Sequence, residues 1–140
     1  MIHDNLKLTG ALSIAINDTV IHTENVVTTV GKAYVASRMK DATTTAMSHM
    51  AIGTGTTTAV AGDTTLVTEL DRNALTSTTV TANAIAYVAS WAAGDGTGAI
   101  AEAGIFNASS GGTMLCRTDF SVVNKGVNDS MTITWTVTAS

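Results

Sequence analysis

From Met131 the chain reads Met-Thr-Ile-Thr-Trp-Thr-Val-Thr, so Met131, Ile133, Trp135 and Val137 alternate with Thr132, Thr134, Thr136 and Thr138. This strict period of two excludes a helix, whose faces repeat every ~3.6 residues, and demands a strand with one apolar face and one hydroxyl-bearing face. One half-buried strand is not stable alone, so the rest of the chain has to supply partners.

It supplies several. Leu6 and Leu8, then Leu12, Ile14 and Ile16, alternate onto one face, and Asn17-Asp18 is a two-residue turn into a returning strand over residues 19–23. Residues 47–52 form a short apolar strand. Residues 84–92 put Tyr87, Ala89 and Trp91 on one face, Gly94-Asp95-Gly96-Thr97-Gly98 breaks the chain, and residues 99–106 return. Residues 107–112 are another turn, 113–120 another strand, and 124–129 the turn before the last strand. Helical spacing occurs over residues 29–40, where Val30, Ala33, Tyr34 and Ser37 recur while Lys32, Arg38 and Lys40 face water; Thr29 is the expected cap, with the end near Asp41. Asp63 is placed to cap one more helical turn over residues 66–70. These signals predict a mainly β domain over residues 1–140, an antiparallel β-sandwich or jelly-roll-like barrel with one short N-terminal helix.

Between these elements lies Met50-Ala51-Ile52-Gly53-Thr54-Gly55-Thr56-Thr57-Thr58, which looks like a phosphate-cradling loop. A P-loop needs a lysine directly after its second glycine, to reach the terminal phosphates. Here Gly55 is followed by threonines, and the next lysine after Lys40 is Lys125. A dinucleotide fingerprint fails as well, because Thr58 stands at the third glycine position and no βαβ unit surrounds it. The stretch reads as a surface connection.

The charge balance is 7 − 11 = −4, which argues against a nucleic-acid surface. Charged residues are only 13% of the chain, about half the usual share, with threonine, alanine, serine and glycine in their place. A surface so poor in charge is expected to be covered by copies of itself or by a larger assembly. The single cysteine, Cys116, rules out an internal disulfide framework and reads as a small core residue. No stretch approaches a membrane span and no secretion signal is evident, so synthesis and folding in a cytoplasm are expected.

The search for chemistry yields no cofactor site and no catalytic set. His3, His22 and His49 stand far apart, none at metal-ligand spacing, and no Gly-x-Ser-x-Gly elbow is present. Asp95 is one carboxylate in a glycine-rich turn, too few for calcium. Glu102 is more informative, because it interrupts the otherwise uncharged strand Ile100-Ala101-Glu102-Ala103-Gly104-Ile105-Phe106. Facing inward it must be paired, and Arg72 and Arg117 are the available partners for a structural ion pair.

Three stretches carry a resemblance: Met47-Ser48-His49-Met50-Ala51-Ile52-Gly53-Thr54-Gly55-Thr56-Thr57 with Ala61-Gly62-Asp63-Thr64-Thr65-Leu66-Val67-Thr68-Glu69-Leu70; Ile100 through Ala108 with Gly111-Gly112-Thr113-Met114-Leu115; and the closing Met131-Thr132-Ile133-Thr134-Trp135. Over residues 26–137 the chain resembles tailed-bacteriophage virion proteins labelled as head-decoration or tail-fibre proteins. The resemblance implies a virion component without catalytic residues. One expected role is a capsid decoration (cement) protein on the capsid surface, a homotrimer that binds and stabilises the major capsid protein shell. The alternative is a tail-fibre or collar adaptor used in host attachment. Residues 1–28 are the candidate contact arm, with Ile2, His3, Leu6 and Leu8 as capsid-contact candidates and no nucleic-acid or membrane partner.

Overall fold

The computed structural model describes residues 6–40 and 44–140. The N-terminal alternation folds as a hairpin, β1 (Leu8–Ile16) turning into β2 (Thr19–Glu24), with Asn17 at φ 53°. Asparagine tolerates this left-handed backbone better than most residues, which suits a tight hairpin turn. There follow β3 (Val26–Val27), α1 (Thr29–Met39), β4 (His49–Gly53), β5 (Glu69–Ala74), β6 (Ser77–Thr81), β7 (Ala84–Trp91), β8 (Gly98–Phe106), β9 (Met114–Lys125) and β10 (Met131–Ala139).

The strands form two antiparallel five-stranded sheets, one in the order β2-β1-β10-β7-β6 and the other β3-β9-β8-β4-β5. Among the described residues each sheet ends on two open edges, so the barrel closure allowed by the sequence does not occur there. The two sheets share one core. Leu12, Ile14, Trp91, Ile133 and Trp135 of the first pack with Met50, Ile52, Ile100, Ile105 and Cys116 of the second, all at 2% exposure or less. The predicted face of the last strand is the buried one, and Trp135 Nε1 satisfies its donor by bonding Asn25 Oδ1 at 2.9 Å.

On the outer face of the first sheet the threonines of β10 lie between small neighbours. Thr132, Thr134 and Thr136 face Ala15, Ser13 and Ala11 of β1 on one side and Ser90, Val88 and Ala86 of β7 on the other. The second sheet differs, because nearly every residue of β8 from Ile100 onward is buried. The loop over residues 54–68 covers its outer face, where Leu66 seals a small second cluster with Ala51, Phe106 and Met114. Burial on both faces explains why β8 reads as a continuous apolar run instead of an alternation.

Several expectations need correction. The helix is capped by Thr28, not Thr29: the Thr28 hydroxyl accepts the Gly31 N–H at 2.9 Å and donates to the Met114 carbonyl at 2.6 Å, joining α1 to β9. Ala33 is exposed, and the residues that meet the body of the protein are Gly31, Tyr34 and Val35. No helical turn forms over residues 66–70; Val67 and Thr68 spend their N–H groups elsewhere, and Glu69 opens β5. Strand β9 runs on to Lys125, beyond the turn expected from residue 124. The two strands β5 and β6 carried no readable alternation, since β6 is exposed along its whole length. Asp41, the expected helix end, lies outside the described residues.

Candidate functional site

The charged cluster around Glu102 is the most organised polar site in the described residues. An irregularity of register between Ile100 and Glu102 turns Glu102 away from the shared core that Ile100, Ala103 and Ile105 enter and into the space beneath the 54–68 loop, where it is fully buried. Its Oε2 accepts the backbone N–H groups of Gly55 at 2.9 Å and Thr68 at 2.7 Å. Its Oε1 accepts Val67 N–H at 2.8 Å and Arg117 Nε and Nη2 at 3.2 and 3.0 Å. The glycines that suggested a phosphate cradle therefore do surround an anion, but it is the chain's own carboxylate. A side chain on Gly55 would collide with that carboxylate, which is why a Gly-x-Gly stretch is needed there.

Arg117, on the adjacent strand β9, is equally buried and fully engaged. Beyond Glu102, its Nη1 donates to Asp63 Oδ2 at 2.9 Å and its Nη2 to the Thr57 carbonyl at 2.8 Å. Asp63 in turn accepts the Val60 N–H at 2.9 Å, and Asp119 accepts that of Ala59 at 2.7 Å. The result is a clamp: four carboxylate or guanidinium side chains hold a long loop on a sheet face. Burial pushes the Glu102 carboxyl upward, but the N–H groups of Thr68 and Val67, the Arg117 guanidinium and the Gly55 N–H outweigh it and hold the group below its ordinary value of 4.5. A carboxylate so satisfied and sealed from water has no free lone pair to offer a substrate. It is built to stay ionised.

The structure thus brings Glu102 and Arg117 together and places Arg72 elsewhere. Arg72 pairs with Glu69 through Nη2–Oε1 at 2.6 Å, lies 3.7 Å over the Phe106 ring, and donates to the carbonyls of Ala108 and Gly111. It ties β5 to the β8–β9 turn. Asp63, read from sequence as a helix cap, and Asp119 are the members of the clamp that sequence reasoning missed. A buried carboxylate facing a Gly-x-Gly loop was the signal available.

Of the contact candidates, Ile2 and His3 lie outside the described residues. Leu6 is 72% exposed, while Leu8 is half-buried and pairs with Ala139, so from Leu8 onward the candidate arm is woven into the sheets, β1 and β2 into the first and β3 into the second. Leu8 also borders an open groove of about 490 Å³ between the ends of the sheets and α1, lined by Tyr34, Val35, Arg38, Met47 and Ile85 among others. Burial, with smaller contributions from Tyr34 and Cys116, pushes the Tyr87 phenol beside it upward.

The remaining titratable groups are scattered. His22 is exposed, and His49 Nδ1 lies 2.7 Å from Ser48 Oγ. Burial raises the Cys116 thiol, leaving it unreactive. Asp95 has a neighbour the sequence did not reveal, Asp71 of β5: burial and then Asp95 raise Asp71, while the Asn73 amide, 2.7 Å away, lowers Asp95. Among the described residues no three His, Cys, Asp or Glu side chains converge as a metal site, and no helix is long and apolar enough to cross a membrane. Comparison with protein-family models, with curated proteins and with solved structures returns no match.

Proposed function

We propose that this chain is a virion structural protein of a tailed bacteriophage, a capsid decoration protein that binds the major capsid protein and stiffens the shell as a homo-oligomer, most simply a trimer. The two layers are read as a β-sandwich, supported by the core they share. The observation that carries the proposal is where the resemblance-bearing residues are spent. Gly55, Asp63, Val67, Thr68 and Glu102 all go into fastening a loop to a sheet. A motif used up in internal bracing fits a building block better than a site that turns over substrate. The middle of the outer face of the first sheet, with its short threonine, serine and alanine side chains and with charge only at Glu24 on the edge strand β2, supports the same reading, because such a surface sits easily against another protein.

A decoration protein that binds the assembled lattice more tightly than free capsid protein shifts the equilibrium toward the intact shell. Heating particles with and without the protein tests this: its absence is expected to lower the temperature of genome release. Particles lacking it that keep their genome equally well but fail to adsorb to the host would replace the decoration reading with the tail-fibre or adaptor one.

A further inference from the structure

The charges of the described residues are arranged lengthwise. The pairing of Leu8 with Ala139 marks one end of the first sheet, and that of Ile16 with Met131 and Met131 with Trp91 marks the other. At the first end lies the groove bordered by Leu8 and α1. Arg38 lines it, Lys7 adjoins Leu8 in sequence, and Lys32 is exposed on α1 and Lys40 at its C-cap; α1 carries no acid, and the exposed Glu24, opposite Ala11, also lies toward this end. With Glu24, and with Asp4 and Asp41 counted only as sequence neighbours of these segments, the sum is 4 − 3 = +1. The other bases are tied up inside: Arg117 in the clamp, Arg72 on Glu69, and Lys125 on the carbonyls of Ala92 and Asp129.

The opposite end is acidic. Its turns carry Asp18, Asp95 and Asp129, offset only by the buried Lys125, and present Val127 at 62% exposure, with Val20 exposed nearby on the outer face of β2. An open apolar groove beside a base-bearing helix therefore lies at one end, and the exposed Val127 lies among carboxylates at the other.

We infer that copies of this chain associate head to tail, the basic groove end of one receiving the acidic turn end of the next. The two surfaces differ, so the contact is heterologous, and it closes into a ring where the rotation permits. Five strands at ~4.8 Å and two layers with their covering loops make an end of about 24 by 20 Å, on the order of 500 Å² per copy and about 1,000 Å² in all. That is the lower edge of specific interfaces, where complementary charge sets partner choice and salt weakens the contact. The inference concerns the self-contact within the proposed assembly; sedimentation reads it independently of the heat test, which reads the shell.

The test is sedimentation velocity of the full chain over micromolar to submillimolar concentration, at low and high salt. The wild type is expected to associate and to dissociate in high salt. Lys32→Glu with Arg38→Glu, and separately Asp18→Lys with Val127→Lys, are each expected to weaken association at least tenfold, and mixing the two variants to restore it. All four positions are exposed, and circular dichroism confirms that each variant is folded. A wild type that stays monomeric throughout, or an oligomer indifferent to both reversals or not restored by mixing, overturns the inference.

Discussion

Replacing Glu102 by glutamine removes one charge and almost no volume, so it isolates what the clamp contributes. A glutamine has a single acceptor oxygen. If that oxygen takes the Oε1 position, the amide nitrogen faces the N–H groups of Gly55 and Thr68; in the reverse orientation it faces Val67 and both Arg117 donors. At least two donors are thus left against another donor, and Arg117 loses its buried counter-charge. An unsatisfied buried group costs roughly 1–3 kcal/mol, and removing one partner of a buried pair about 3–5 kcal/mol. These overlap, so the expected loss is about 3–5 kcal/mol, a large part of the stability of a domain this size. Urea unfolding of wild type and E102Q reads it from the midpoints at unchanged slope.

The pH dependence adds a second arm. The folded carboxyl has a lower pKa than the unfolded one, so its contribution is complete above the ordinary value of 4.5 and drains away as pH falls through the folded pKa. The gap between wild type and E102Q should be constant near neutral pH and shrink below pH 4.5. A loss under about 1 kcal/mol, or a gap that does not shrink in acid, would refute the clamp.

Two further substitutions test the packing. Trp135→Ala, at 0% exposure in the core, should cost about 3–5 kcal/mol in the isolated protein, whereas Thr134→Ala on the opposite face should cost far less; equal losses by thermal unfolding would show the faces to be misassigned. Gly31→Ala should destabilise by about 1–3 kcal/mol although alanine is the better helix former, because its Cβ would run into the Leu115 backbone; an increase in unfolding midpoint would mean that α1 does not press on β9.

The elements legible in the sequence were those with one wet and one dry face. The β1–β2 hairpin and β10 alternate because water covers one side of their sheet, and periodicity records that difference. Sheet-edge strands leave a weaker record: β6 is exposed on both faces, and β5 is written in charged and polar residues that serve Arg72 and Asn73 contacts. The 54–68 loop was legible as a loop but not as a lid. Its order comes from Glu102 and Arg117, which lie 34 to 60 positions away from the groups they hold, and no local rule reaches that far. Glu102 itself announced a partner, since a lone charge in an apolar strand must be compensated. Which arginine would answer was a matter of strand register: Glu102 and Arg117 meet on neighbouring strands, whereas Arg72 lies one strand further out, on β5.

The proposed role makes this chain part of a phage particle, and its most direct test is a density map of such a particle, intact, with this protein present. The decoration reading predicts this β-rich domain in many copies, seated at regular positions over junctions between major capsid subunits. A shell bare of it, with a few copies confined to the tail vertex or fibres, would contradict that reading.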